Sequence, residues 1–215
     1  MGLTMTGLDS QITDIADAVD VTDLILHDIL TGVLSAGSWL KQNDLERRYN
    51  CTRQEVRRAL DRLALRRLVA HEPNRGYHVF APDERQAEQI SDIRIILETS
   101  VADRIIANAN PDAVTNLRRL ANQFDNLIQT GTVLELYEAN LTFHRELLSL
   151  CGNEELVALV RDIRQRTSSA PVSQWNTRAR IDKSSAEHHQ MIDALAAGDV
   201  EQFKQVTTLH IRQPR

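Results

Sequence analysis

Three histidines in the second half of this 215-residue chain, His144, His188 and His210, each stand among apolar residues at helical spacing. His144 shares its side with Leu136, Leu147 and Leu148, His188 with Met191, Ile192 and Leu195, and His210 with Val206 and Phe203. Such spacing puts each group on one helical face turned toward an interior. Imidazoles facing an apolar interior are costly unless they share something polar. Two arrangements meet that need: a divalent ion held by imidazole nitrogens, of the Zn²⁺ or Ni²⁺ kind, or a histidine-lined pocket without metal. Asn140 lies one helical turn before His144 and so on the same face. A metal with an open position can also activate water. Glu187 is the only nearby sequence candidate for a general base, so hydrolysis is the weaker reading. His189 reads as a solvent-facing or supporting group, and His27, His71 and His78 as ordinary surface or wing residues.

A second group of residues suits nucleic acid. Thr52 is a good N-cap and Glu55, three residues on, completes a capping box. Val56, Leu60, Leu63 and Leu68 then fall near one helical face, with Arg53, Arg57 and Arg58 elsewhere. A helix held by its apolar side and offering cations and N–H groups at its first turn can enter a DNA groove. Arg53 and Arg57 are the candidate base or phosphate contacts, against the plainer reading of a solvated basic face. Thr52 and Gln54 are candidate phosphate contacts, and capping competes for Thr52. Arg75-Gly76 could touch the minor groove, although a tight turn alone accounts for the glycine. Arg47 and Arg48 either add phosphate contacts or solvate their own helix.

These residues need elements to position them. A polar arm, 1–20, with some helix near 12–19, precedes a helix over 21–34. Asn43, with Glu46 at the capping-box position, opens a short helix over 44–50. The helix over 53–67 follows, then strands over 68–72 and 77–80 joined by Pro73-Asn74-Arg75-Gly76, a strong turn sequence. Residues 81–83 form a linker around Pro82. Beyond it the pattern is helical: 84–108, 112–129, 132–150, 153–168, 174–197 and 199–212. Short loops between these helices imply antiparallel neighbours. The fold expected is mostly α: a winged helix-turn-helix domain over 21–80 with a small β-hairpin wing, then an all-α antiparallel helical bundle over 84–215.

Composition agrees with that division. Hydrophobic residues make up 42%, charged residues 26% and aromatic residues 4%, which favours helix over sheet. The net charge of −5 excludes a general polyanion binder, but it is unevenly spread. Residues 21–80 carry ten Lys/Arg against seven Asp/Glu, while 1–20 carry four Asp and no cation. Cys51 and Cys151 are isolated, so no disulfide framework is readable. No stretch approaches the roughly 18 apolar residues of a membrane span, and the acidic start lacks the pattern of a signal peptide. A reducing, cytoplasmic setting is expected.

The segment from Val21 to Phe80 resembles the winged helix-turn-helix domain of the GntR family of bacterial transcription regulators. The matching residues are Thr52-Arg53, Val56-Arg57, Ala59-Leu60, Leu63, Leu68-Val69 and the wing from Pro73 to Tyr77. Ala36-Gly37 stands where Pro-Gly is usual, Arg58 replaces a frequent acidic residue, and Arg66-Arg67 replaces a frequent Glu-Gly. The remainder is similar to the FCD effector domain of the FadR subfamily, in its six-helix version. Arg94 and Glu98, Phe143-His144-Arg145, Cys151-Gly152-Asn153, Glu187-His188 and Ala197-Gly198-Asp199 carry that likeness.

The resemblance implies a ligand-responsive transcription regulator rather than an enzyme, with operator DNA, a small carboxylate effector and a second copy of the chain as partners. It implies a repressor that acts as a homodimer. It also implies a divalent metal held at the positions of Asn140, His144, His188 and His210, with asparagine here in place of the usual aspartate. Arg94 is then a second anchor for the effector carboxylate, since a guanidinium holds a carboxylate in a bidentate fork. Its plainer reading is an ion pair with Glu98, four residues on. The alternatives are a metal-ion sensor and, less favoured, a metal-dependent hydrolase.

Overall fold

A computed structural model of the chain describes residues 20–167 and 178–212. The expected arm over 1–19, with its helix near 12–19, and the expected start of a helix at 174 lie outside the described residues.

The first helix, α1 (Val21–Leu30), is capped by Asp20, whose carboxylate accepts from Thr22 N at 2.9 Å. It stops earlier than the apolar pattern suggests. Gly32 takes φ 78°, a left-handed conformation suited to glycine, and Leu34 N turns back to Asp28 O at 2.8 Å. A two-residue strand, β1 (Trp39–Leu40), follows and was not expected. It leads into α2 (Gln42–Tyr49), whose cap position is Lys41. Asn43 therefore sits inside the first turn and does not cap it. The chain leaves β1 already extended at Lys41, so the helix begins before the asparagine.

The next helix, α3 (Arg53–Leu65), has the expected capping box: Glu55 N donates to Thr52 Oγ1 at 3.3 Å and Thr52 N donates to Glu55 Oε2 at 2.7 Å. Strands β2 (Val69–Glu72) and β3 (Gly76–Val79) pair antiparallel, with Val69 opposite Val79 and Glu72 opposite Gly76. The sheet order is β1-β3-β2, with Trp39 opposite His78. The turn between β2 and β3 needs positive φ at Asn74 and Gly76, which these residue types tolerate. Ile25, Ile29, Leu45, Val56, Leu60, Leu63, Leu68 and Val79 close the core beneath this wing.

The bundle begins with α4 (Glu84–Ser100), opened by an Asp83–Gln86 capping box. The single helix expected over 84–108 breaks at Val101, whose φ of −107° and ψ of 9° leave the helical region, and resumes as α5 (Ala102–Asn108). Thr99 and Ser100 hydroxyls donate to the carbonyls of Ile95 and Leu97 at 2.6 and 2.9 Å just before the break. Such back-bonding competes with the backbone ladder and bends helices. Then come α6 (Pro111–Thr130), α7 (Val133–Ser149), α8 (Glu154–Thr167), α9 (Arg178–Ala197) and α10 (Val200–Ile211). Ala102, Ile105, Leu117, Phe143, Leu147, Met191, Ile192 and Phe203 form the bundle core.

Candidate metal centre and nucleic-acid interface

Helices α7, α9 and α10 each bring one histidine to a single buried point. His144 Nε2 lies 3.2 Å from His188 Nε2 and 3.0 Å from His210 Nε2. The three donor atoms all lie within 4.8 Å of one another. Phe143 stacks on His188 at 4.2 Å between ring centres, and Phe124 meets the same ring edge-on at 5.1 Å. These walls fix the imidazole planes. Burial, then the nearby Arg164 and the other histidines, push His144 well below the usual imidazole range. Burial first, with His210 and Arg164 behind it, does the same to His188, and burial with Arg164 and Arg94 to His210. All three are therefore neutral ligand-type imidazoles near neutrality.

The tautomer of His210 follows from its neighbour. His210 Nδ1 is 2.9 Å from Glu187 Oε2. A carboxylate only accepts, so Nδ1 carries the proton and Nε2 turns its lone pair to the trio. A ring nitrogen tied to a carboxylate in this way is the usual outer support of a metal-binding histidine. Asn140 sits one turn before His144 on α7. Its Oδ1 and His188 Nδ1 are both buried without a hydrogen-bond partner among the described residues. Three converging nitrogens, one of them with its lone pair turned to the others, fit a cation. Ligands about 2.1 Å from one tetrahedral ion lie roughly 3.4 Å apart, a little more than the two shorter separations of 3.2 and 3.0 Å here.

Beside the histidines lies a buried ion cluster. Arg164 Nη2 on α8 is 2.6 Å from Glu98 Oε2, and Arg94 Nε on α4 is 2.9 Å from Glu98 Oε1. Burial alone would raise the Glu98 carboxyl, but the charges and hydrogen bonds of Arg164 and Arg94 outweigh it and hold it at about 2. Arg164 is lowered to about 10 by burial and by Arg94, since two guanidinium groups share one carboxylate and leave one positive charge in excess. Arg94 thus makes the ion pair with Glu98 that its spacing allowed. Arg164 was not singled out in the sequence. Its inward neighbours Val157, Val160 and Ile163 on α8 were the available signal. His189 pairs with Asp125 at 2.8 Å, away from the trio.

In the winged domain, Arg53, Gln54 and Arg57 are exposed on α3, and Thr52 is engaged with Glu55 through both N and Oγ1. Arg53 Nε donates to Gln42 Oε1 at 3.3 Å. The wing-tip Arg75 lies over Trp39 at 4.6 Å and pairs with Glu72 at 2.8 Å. Gly76 follows at φ 99°. A groove of about 540 Å³ joins α2, the start of α3 and the wing, lined by Trp39, Lys41, Arg47, Arg53 and Arg75. Trp39, on the unexpected strand β1, and Lys41, at the cap of α2, were not foreseen. Arg48, itself exposed, pairs with α1: its Nε meets Asp28 Oδ2 at 2.6 Å, and Tyr49 donates to the same oxygen at 2.7 Å.

A cationic winged helix-turn-helix ahead of a helical bundle with a buried polar centre defines a class, the ligand-responsive DNA-binding regulator. The FCD domain pattern matches residues 89–213, and the pattern of bacterial regulatory proteins of the gntR family matches residues 18–79. The chain belongs to the GntR family of bacterial regulators, among those with an FCD domain. It is 26% identical over 192 residues to the HTH-type transcriptional regulator BphR of Paraburkholderia xenovorans, covering 86% of this chain and 78% of that one. It is 23% identical over 207 residues to a probable D-xylose utilization operon transcriptional repressor of Paenarthrobacter nicotinovorans, covering 96% and 91%. Its fold is similar to that of Escherichia coli McbR/YncC, with a TM-score of 0.76 at 20% identity over 90% of this chain and 92% of that one. No helix among the described residues is long and apolar enough to cross a membrane.

Proposed function

We propose that this regulator is a cytoplasmic homodimeric repressor that holds a divalent metal ion in its bundle and answers to a small organic acid. The observation that carries the reading is the convergence of three neutral imidazole nitrogens on one buried point. His144, His188 and His210 would hold the ion, Zn²⁺ or Ni²⁺ by ligand type, with Asn140 as a weaker oxygen donor. When bound, such an ion supplies a Lewis-acidic seat for a carboxylate oxygen. Glu187 keeps His210 in the tautomer that ligation needs. Arg94 spends one of its five N–H donors on Glu98 and offers others to the effector carboxylate.

On the output side, Arg53 and Arg57 read base edges or phosphates, Thr52 and Gln54 contact phosphate, and Arg75 with Gly76 enters or borders the minor groove. Two half-sites call for two winged domains, hence the dimer. The relative named as an operon repressor supports the sign of the control. Effector binding shifts the balance only by as much as it prefers one arrangement of the two winged domains over the other.

Elemental analysis of the purified protein tests the reading. About one divalent ion per subunit is expected, lost in His144→Ala. Protein that contains none and takes up none when Zn²⁺ or Ni²⁺ is added overturns it. Operator release by metal alone, with organic acids silent, would make the chain a metal sensor instead.

A further inference from the structure

The space around the histidines is very small. A void of about 10 Å³, lined by His144, His210, Glu98 and Arg164, is on the order of one water or one ion. The organic part of an effector does not fit there. A second cavity, of about 310 Å³, opens between α7 and α8, and His144 and Arg164 line it too. A molecule whose carboxylate reaches those two residues therefore has its remainder in the α7–α8 cavity.

The wall of that cavity sets the chemistry of the remainder. Leu141 and Leu148 line it from α7 and Val157 and Val160 from α8, together with the polar Glu138, Thr142 and Arg145 of α7 and Arg161 of α8. A polyhydroxylated body could pair only with Glu138, Thr142, Arg145 and Arg161, and its hydroxyls against the four apolar side chains would stay unpaired, which disfavours sugar acids. An alkyl or aromatic body would instead exchange water for apolar contact. The volume is that of an ordinary small-molecule pocket rather than a packing defect.

We infer that the α7–α8 cavity is the seat of the effector's apolar body, and that the effector is a carboxylate carrying an alkyl or aromatic group of roughly five to eight carbons. The inference rests on the carboxylate-responsive reading above and narrows it. The carboxylate is turned toward His144 and Arg164, and the hydrocarbon lies between the helices. Thr142, partly buried on α7, stands at the cavity wall and is the place to block it.

The test uses the full-length, metal-loaded protein and the probe series acetate, butyrate, hexanoate, benzoate and gluconate, read by calorimetry. From acetate to hexanoate, affinity is expected to rise about threefold to fourfold per methylene, the gain from burying each one. Benzoate is expected to bind well and gluconate no better than acetate. Thr142→Trp should abolish the chain-length gain while leaving acetate binding in place. Acetate binding with no chain-length gain, or a gain that survives Thr142→Trp together with the smaller block Thr142→Leu, overturns the α7–α8 seat alone. Failure of every acid to bind overturns the carboxylate reading beneath it. Circular dichroism of both variants establishes that they fold.

Discussion

Replacing Glu98 with glutamine tests whether the buried ion cluster is as strongly set as its geometry indicates. The carboxyl drops from a usual value of 4.5 to about 2 in the folded chain. That shift corresponds to about 3 kcal/mol of stability at pH 7. Because the folded value lies below the unfolded one, the contribution is complete above pH 4.5 and is lost as pH falls through 2. Removing the charge also takes the shared carboxylate from Arg164 and Arg94, and breaking a buried pair from one side costs roughly 3–5 kcal/mol. The amide oxygen still accepts one hydrogen bond, which places Glu98→Gln near the lower end, about 3 kcal/mol. For a urea dependence on the order of 1.5 kcal/mol per molar, the unfolding midpoint should fall by about 2 M. The assay is urea unfolding of wild type and variant by circular dichroism at pH 7 and pH 3, with chelator present throughout. At pH 3 the gap should be smaller by about 2 kcal/mol, since the wild type alone loses this term. A gap below about 1 kcal/mol at pH 7, or one that does not change with pH, refutes the reasoning.

Two further outcomes are expected at the sites themselves. Arg57→Ala should weaken operator binding by roughly 1–3 kcal/mol at fixed salt with the fold intact, measured by fluorescence anisotropy on a labelled operator; unchanged affinity removes Arg57 from the interface. Glu187→Ala should lower metal affinity about 10- to 100-fold, while Glu187→Gln, whose amide oxygen can still accept from His210 Nδ1, should lose less. Competition with a chromophoric chelator reads both, and equal affinities for the wild type and Glu187→Ala would end the positioning role.

Much of the fold was legible because its signals are local. The Thr52–Glu55 box and the stripe from Val56 to Leu63 lie within one helix, and Asn74 and Gly76 suit the turn that follows. The histidines were legible because a polar ring among leucines is conspicuous. What escaped depends on distant partners. Strand β1 is two residues long, too short for alternation, and exists because β3 offers it an edge. The break at Val101 has no proline or glycine to mark it and comes from hydroxyls bonding back along the helix. Arg164 sits amid other charges in the sequence, and its role comes from a glutamate 66 residues earlier. Helix α1 ends at Leu30 although Val33 and Leu34 continue its apolar pattern, because Gly32 turns the chain away.

The contact between Arg75 and Trp39 has a consequence for observing this protein at work. The wing-tip guanidinium rests on the indole face and is paired with Glu72 while the groove is free. Entry of Arg75 into a DNA groove, as proposed above, would take it off the indole. Trp39 is one of only two tryptophans in the chain. Under the proposed role of Arg75, a cation that leaves for DNA would leave the face of a natural fluorophore, and the wing would carry its own optical tag.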